Sequence, residues 1–170
     1  MDFKIIVCIN SQFAIGNNGK LLYHIPNDMA NFRRMTTDNV VIMGRKTFES
    51  LPGSKPLPNR INIVLATNPK YKIDGFDNVY VVNTIAEAID LCEKKFSNKM
   101  CFVIGGASIY NQFIAQNLID EIFITTVDDD LNGDAFFPDI FDDGWKLFYE
   151  SSEQIGPDSI KYKFSIFKRK

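Results

Sequence analysis

Six short apolar runs punctuate the chain: KIIVCI from Lys4, NVVIMG from Asn39, NIVLAT from Asn62, NVYVVN from Asn78, KMCFVIGG from Lys99 and EIFITTV from Glu121. Runs of this length bounded by polar or turn-forming residues predict buried strands. Helical patterns lie between several of them. TIAEAIDLCEKKF sets Ile85, Ile89, Cys92 and Phe96 on one face, and GASIYNQFIAQN groups Ile109, Phe113 and Ile114. Buried strands alternating with helices predict a mostly parallel sheet covered on both faces. The last third differs. YKFSIFKR alternates Tyr162, Phe164 and Ile166 with Lys163 and Ser165, and Lys161 precedes it on the polar side. That pattern predicts a half-exposed antiparallel strand, and Asn132-Gly133 and Gly156-Pro157 are turn signals. The expectation is one α/β domain over residues 1–170, with a mostly parallel central sheet, an antiparallel C-terminal edge and helices on both faces.

One helix breaks its own pattern. In HIPNDMANFRR, Pro26 suits the first helical position, and Ile25, Asp28, Met29 and Phe32 fall at core-facing spacing. Three of the four are apolar and the fourth is a carboxylate. A first-turn acid favoured by the helix dipole and reaching water accounts for Asp28 in one way. A carboxylate lining an apolar pocket, offering two acceptors to a ligand with two donors, accounts for it in another.

Composition narrows the setting. At 170 residues, 45% hydrophobic, 24% charged and net charge −2, the chain has the makeup of a soluble globular protein. No bulk attraction to nucleic acid or anionic membrane is expected. Cys8, Cys92 and Cys101 lie far apart in sequence without a paired framework and read as free thiols in a reducing compartment. His24 is the only histidine, which argues against a zinc site. No signal peptide or membrane-length run is evident, so the cytoplasm is the default.

Two strand ends are candidates for anion binding. One run ends at Met43-Gly44 and a helix is expected to begin near Lys46-Thr47, so Arg45, Lys46 and a hydroxyl meet free backbone N–H groups. A solvated Arg-Lys pair at a turn is the plainer alternative. Another run ends in Gly105-Gly106 and passes straight into a helix, which permits close approach of a ligand to the backbone or simply makes a tight turn. Taken together, the two suit a pyrophosphate or dinucleotide across the C-terminal edge of a sheet. Neither the usual dinucleotide fingerprint nor a P-loop is present. SQFAIGNNGKLL, from Ser11 to Leu22, reads as a flexible loop that closes over a ligand or merely connects.

In order and spanning essentially the whole chain, these segments resemble bacterial-type dihydrofolate reductases. The anchors are AIG at Ala14–Gly16, IPNDMANFRRMT at Ile25–Thr36, VVIMGRKTFESL at Val40–Leu51, PLPNRINIVL at Pro56–Leu65, VIGGASIY at Val103–Tyr110 and GDAFFPD at Gly133–Asp139. The resemblance implies NADPH-dependent reduction of 7,8-dihydrofolate to tetrahydrofolate, which feeds one-carbon metabolism. It also implies binding of 2,4-diaminopyrimidine antifolates, and a monomer is expected. It makes Asp28 the sole ionisable side chain in the pterin pocket, held by Thr125. Ile6, Met29, Phe32, Leu51, Leu57 and Ile104 would form the apolar walls, and Arg60 would grip the glutamate α-carboxylate of the substrate tail. For the cofactor it implies Gly44, Arg45, Lys46 and Thr47 at the phosphate turn, with Thr67 helping at the 2′-phosphate. Gly105, Gly106, Ala107 and Ser108 would meet the pyrophosphate, Cys8 and Ile15 the nicotinamide carboxamide, and Tyr110 the nicotinamide region.

Two positions depart from the family pattern. Tyr23 stands where tryptophan is common, and its hydroxyl is expected to alter the water network beside the pterin, which makes it a second catalytic candidate after Asp28. Ser108 stands where some members carry an arginine for the 2′-phosphate, which throws weight onto Lys46. Rival readings are a reductase of the same fold acting on a riboflavin-pathway pyrimidine, and a non-catalytic folate-binding module. The combination of Asp28, Phe32, Arg60 and Thr125 argues against the first, and nothing in the sequence looks disabled as the second would suggest.

Overall fold

Strand β1 (Phe3–Asn10) alternates strictly, with Phe3, Ile5, Val7 and Ile9 buried and Lys4, Ile6 and Cys8 half-buried. Side chains of period two divide between the two faces of a sheet, and β1 is the strand around which this sheet is arranged. The computed structural model describes residues 1–141 and 144–170. After β1 come β2 (Ala14–Asn17), β3 (Lys20–Leu21), α1 (Pro26–Thr36), β4 (Val40–Gly44), α2 (Arg45–Ser50), β5 (Ile61–Leu65) and β6 (Val79–Val82). Then follow α3 (Ile85–Lys95), β7 (Cys101–Gly105), α4 (Ala107–Ala115), β8 (Ile119–Val127), β9 (Ala135–Phe136), β10 (Trp145–Glu150), β11 (Gln154–Ile155) and β12 (Lys161–Arg169).

The main sheet runs β10-β12-β8-β1-β7-β4-β5-β6, with β11 paired to β12. From β8 to β6 every pairing is parallel, and β12 and β10 join antiparallel. Ile85, Ala88 and Cys92 of α3 and Tyr110 and Phe113 of α4 pack in one core with the buried side of β1. Phe48 of α2 packs in a second cluster with Val41, Met43 and Val64. Thr84 caps α3 by accepting from the Glu87 N–H at 3.1 Å, while Glu87 accepts from the Asn83 N–H at 2.7 Å. The expected architecture is therefore present: a mostly parallel sheet, helices on both faces and an antiparallel C-terminal side. No helix among the described residues is long and apolar enough to cross a membrane.

Local details correct or extend these expectations. Residues 11–22 are not a plain loop: β2 and β3 form a hairpin, and β2 also pairs with β9 in a small antiparallel sheet. Asn18 (φ 51°) and Gly19 (φ 72°) occupy its two-residue turn, the conformation asparagine and glycine favour. The strands are too short to show a period. The strand β12 is antiparallel and half-exposed as expected, but it is not the sheet edge, since β10 pairs along its outer side, and its alternation fails where Ser165 is buried. Helix α2 starts at Arg45, directly on the strand end, ahead of Lys46-Thr47. Cys92 and Cys101, distant in sequence, are free thiols buried in the same core cluster.

The small sheet leaves no room beside Gly133, where a Cβ would sit 2.8 Å from both the Gly16 carbonyl oxygen and the Ala14 Cβ. Gly133→Ala should therefore destabilise the fold by about 1–3 kcal/mol, the usual cost of overpacking. In thermal unfolding that is a fall of roughly 3–10 °C. An unchanged melting temperature would show that the β2–β9 contact yields freely.

Candidate active site

Asp28 sits in the first turn of α1 but does not cap it, since the helix N-terminus has no side-chain cap. Its Oδ1 instead accepts a 2.5 Å hydrogen bond from the Thr125 hydroxyl of β8, and Oδ2 accepts none among the described residues. Thr125 is buried and lies opposite Cys8 of β1. The Ile25, Asp28, Met29, Phe32 stripe does not face a closed core, contrary to its spacing. Only Ile25 is buried, Asp28 and Phe32 are half-buried, and Met29 is 39% exposed. The stripe is therefore not covered by a core, and the acid stands on a partly open apolar face of α1.

Burial raises the Asp28 pKa above the ordinary carboxylate range, and the Thr125 hydrogen bond only partly opposes this. No cation forms an ion pair with Asp28 among the described residues. Burial, and then the Asp28 charge, push the neighbouring Cys8 thiol up, so it stays protonated and inert. The site holds one carboxylate with a free oxygen and no fixed counter-charge.

The apolar positions are brought together in part. Leu51, Leu57 and Ile104 are half-buried against the Val41, Met43, Phe48, Val64 cluster. Ile6 shares the face of β1 that carries Cys8 and lies opposite Phe123, two residues from Thr125. Arg60 is buried; its Nε donates to Thr36 Oγ1 at 3.1 Å and Nη1 to the Pro58 carbonyl at 2.8 Å. Its Nη2 donates to no described residue. Burial and the nearby Arg33 both press its pKa downward, so the pair forms a cationic spot ready for an anion. The sequence reading missed what fixes this segment. Asn62, fully buried in β5, exchanges hydrogen bonds with the Leu57 N–H and carbonyl at 3.0 Å each, and Asn78 donates to the Leu57 and Arg60 carbonyls at 3.2 Å. The available signal was a polar residue inside the apolar run INIVL.

The two glycine-bearing strand ends meet. β4 and β7 are neighbours, and Met43 lies opposite Gly105. A Cβ on Gly106 would lie 3.4 Å from the Thr47 hydroxyl, and one on Gly44 would lie 4.0 Å from the Gly106 nitrogen. Gly105 has φ +125°, a region L side chains rarely adopt, and the Gly105-Gly106 peptide is cis. Arg45, Lys46 and Ser108 are exposed, Ala107 is half-buried, and exposed Thr67 follows β5, the next strand along. Arg45 is not idle: it pairs with Glu49 at 3.2 Å and lies over the Tyr71 ring at 5.7 Å. Ser108 accepts from the Gln112 amide at 3.0 Å.

Ile15 of β2 is half-buried against the main core. Tyr110 is buried and donates to the Ile6 carbonyl at 2.9 Å, bracing α4 against β1 rather than offering its hydroxyl to a ligand. Tyr23 is likewise committed. Its hydroxyl donates to Asp129 Oδ2 at 2.7 Å and accepts from Asn10 Nδ2 at 3.2 Å. These partners occupy its proton and one acceptor lone pair.

A family model described as dihydrofolate reductase matches residues 2–169. The chain is 35% identical over 170 residues to the dihydrofolate reductase of Bacillus subtilis (strain 168), covering 98% of this chain and 94% of that protein. It is 32% identical over 147 residues to that of Staphylococcus aureus (strain N315), covering 86% and 84%. Among solved structures, a dihydrofolate reductase from Enterococcus faecalis complexed with NADP(H) and RAB-propyl superimposes with a TM-score of 0.86 at 28% identity, over 99% of this chain and 96% of that one. With a family model matched over nearly the whole chain and relatives above 30% identity, the chain belongs to the dihydrofolate reductase family.

Proposed function

We propose that this protein, a single dihydrofolate reductase domain over residues 1–170, reduces 7,8-dihydrofolate to tetrahydrofolate with NADPH, with Asp28 as the group that binds and activates the pterin. The observation that carries this reading is the free oxygen of a half-buried, cation-free carboxylate whose other oxygen is fixed by Thr125. A pterin presents an N–H and a 2-amino group side by side, and a carboxylate accepts both. The same two acceptors suit a 2,4-diaminopyrimidine inhibitor. Ile6, Met29, Phe32, Leu51, Leu57 and Ile104 surround the ring, and Arg60 takes the tail carboxylate through the Nη2 donors its own fold leaves unused.

The residues at the glycine edge fit a dinucleotide. Gly44 lets Ile109 of α4 pack close, where a Cβ would lie 3.1 Å from its side chain, and at Gly106 the Thr47 hydroxyl is the neighbour a Cβ would meet. Gly105, Gly106, Ala107 and Ser108 would hold the pyrophosphate, Arg45, Lys46 and Thr67 the 2′-phosphate, and Cys8 and Ile15 the nicotinamide end. When bound, NADPH supplies the hydride that reaches the pterin C6. The protein aligns the rings, excludes water and holds a negative charge on the pterin side remote from N5, which makes N5 more basic. The proton reaches N5 through water, because Asp28 holds the far side of the ring. The free thiols and the absence of a membrane-length helix among the described residues support a cytoplasmic setting.

Asp28→Asn keeps the shape and removes the charge. It should slow the reaction by about 10²–10⁴-fold at neutral pH, the range for losing a group that assists proton transfer. Its activity should keep rising into acid, where substrate is protonated in solution, while the wild type levels off. The same change should raise the melting temperature of the ligand-free protein at pH 7. A carboxyl whose folded pKa is raised binds more protons folded than unfolded, so stability falls as pH climbs from the ordinary value of 3.8 through the raised one and stays lower above it. Below pH 3.8 the two proteins should differ little. A nearly unchanged rate and pH profile would return Asp28 to a dipole role.

Arg60→Leu should weaken dihydrofolate binding by roughly 2–5 kcal/mol, as for breaking a buried charge pair. A small diaminopyrimidine lacking the glutamate should bind almost as before, measured by titration calorimetry. Equal losses would remove Arg60 from the tail site. Glu49→Gln frees Arg45 from its ion pair, and should tighten NADPH more than NADH, whereas Arg45→Ala with Lys46→Ala should weaken NADPH selectively. Equal effects on both cofactors would show that this turn does not read the 2′-phosphate.

A further inference from the structure

Where β1 ends, three segments, around Asn10, Tyr23 and Asp129, close a ring of hydrogen bonds. Asn10 ends β1 and is 2% exposed. Its amide donates to the Tyr23 hydroxyl at 3.2 Å and to the Leu131 carbonyl at 2.8 Å. Its carbonyl oxygen accepts from the N–H groups of Gln12 and Ala14, each at 3.0 Å. Tyr23 donates onward to Asp129 at 2.7 Å. The Asp129 carbonyl accepts from the Ser11 N–H at 3.0 Å, and its carboxylate from the Leu131 N–H at 3.4 Å. Asn10 thus uses both amide donors and both carbonyl lone pairs.

We propose that Tyr23, Asp129 and Asn10 form a clasp that fixes the β2–β3 hairpin relative to α1, and that Tyr23 serves the reaction as a positioning residue through it. The inference rests on the reading of Asp28 as the pterin ligand. Tyr23 joins the hairpin to the helix in the chain. On one side Leu21 pairs with Gly16, next to Ile15; on the other, Ile25 anchors the first turn of α1 in a cluster with Val127 and Tyr162, and Tyr23 packs against the same cluster. Asn10 stands two residues beyond Cys8. A shift at the clasp therefore reaches the cofactor side, through Cys8 and Ile15, and the pterin side, through Asp28. Hydride transfer depends on the relative placement of those two sides.

The clasp also explains why Tyr23 is not a proton carrier. Its hydroxyl has its donor and an acceptor lone pair occupied. Burial and Asp129 push the phenol up to about 12, and Tyr23 holds the half-buried Asp129 carboxyl below the usual carboxylate range. At neutral pH the proton stays between these two groups on the loop side.

The test compares Tyr23→Phe, Asp129→Ala, Asp129→Asn and the Tyr23→Phe/Asp129→Ala double variant in single-turnover reduction of dihydrofolate by NADPH. Tyr23→Phe and Asp129→Ala should each slow hydride transfer by about tenfold, within the roughly 100-fold that an ångström of misalignment costs. The double variant should be no slower than either single one, because both break the same bond. Asp129→Asn keeps an acceptor for the phenol and should recover most of the rate. Dihydrofolate affinity should change less than about twofold, and the apparent pKa of the pH profile should not move, as expected of a group that positions without exchanging protons. Amide exchange at Gln12 and Ala14 in the ligand-free protein should quicken in Tyr23→Phe. Additive rate losses, an unchanged rate, or a shifted pKa with a larger solvent isotope effect would overturn the clasp. All four variants retain Asp28 and Thr125, so an error in the reading of Asp28 shows instead in the Asp28→Asn experiment.

Discussion

The register between β1 and β8 governs the site. The two strands pair in parallel from Lys4 opposite Glu121 to Asn10 opposite Val127, which places Cys8 against Thr125. Side chains alternate along a strand, so a slip of one residue would turn Thr125 to the far face and leave Asp28 without its hydrogen bond. The register is itself fixed by burial. Ile122 and Ile124 on β8 and Ile5, Val7 and Ile9 on β1 all enter the same core, and none can be moved to the opposite face without exposing it. Packing on one side of the sheet thereby sets the chemistry on the other.

What the register leaves at the cleft is energetically unfavourable for the empty protein. A carboxylate is half-buried with one hydrogen bond and no cation, and α1 is left without a side-chain cap although an acid stands in its first turn. Each feature costs folding free energy that a locally optimised helix would retain. A ligand with two adjacent donors satisfies the free oxygen, so the same burial that raises the carboxyl pKa strengthens the contact once the partner arrives. The large cores on both faces offset the local cost.

Around that centre, buried polar side chains act as fasteners for irregular backbone. Asn10 holds the segments after β1 and β8, Asn62 and Asn78 hold the turn that presents Leu57 and Arg60, and Thr36 links Arg60 to the end of α1 through the Phe32 carbonyl. Backbone groups in such turns find no ladder partners, and an amide side chain supplies both a donor and an acceptor. These residues touch no expected ligand atom, yet they determine where the ligand-facing side chains stand.

The sequence by itself determined the strands, the helices and the fold class, because buried parallel strands and amphipathic helices write their periods directly into residues such as those of NVVIMG and TIAEAIDLCEKKF. It also singled out Asp28, since a carboxylate on an apolar stripe violates the local rule, and the glycines of both strand ends, since their conformational needs are local. Thr125 was legible as the partner of Asp28 only through the family resemblance, and only the tertiary structure left the stripe around Asp28 uncovered, set the two groups at hydrogen-bond distance and brought Gly44 beside Gly106. It alone turned residues 14–21 into a hairpin paired to β9, buried Cys92 and Cys101 in one core cluster, and committed the Tyr23 hydroxyl to Asp129 and Asn10. Periodicity reports which side of an element is apolar. Which distant segment covers that side, and which polar groups it brings, is fixed by strand order and register, and these arise from contacts between residues as far apart as Asp28 and Thr125.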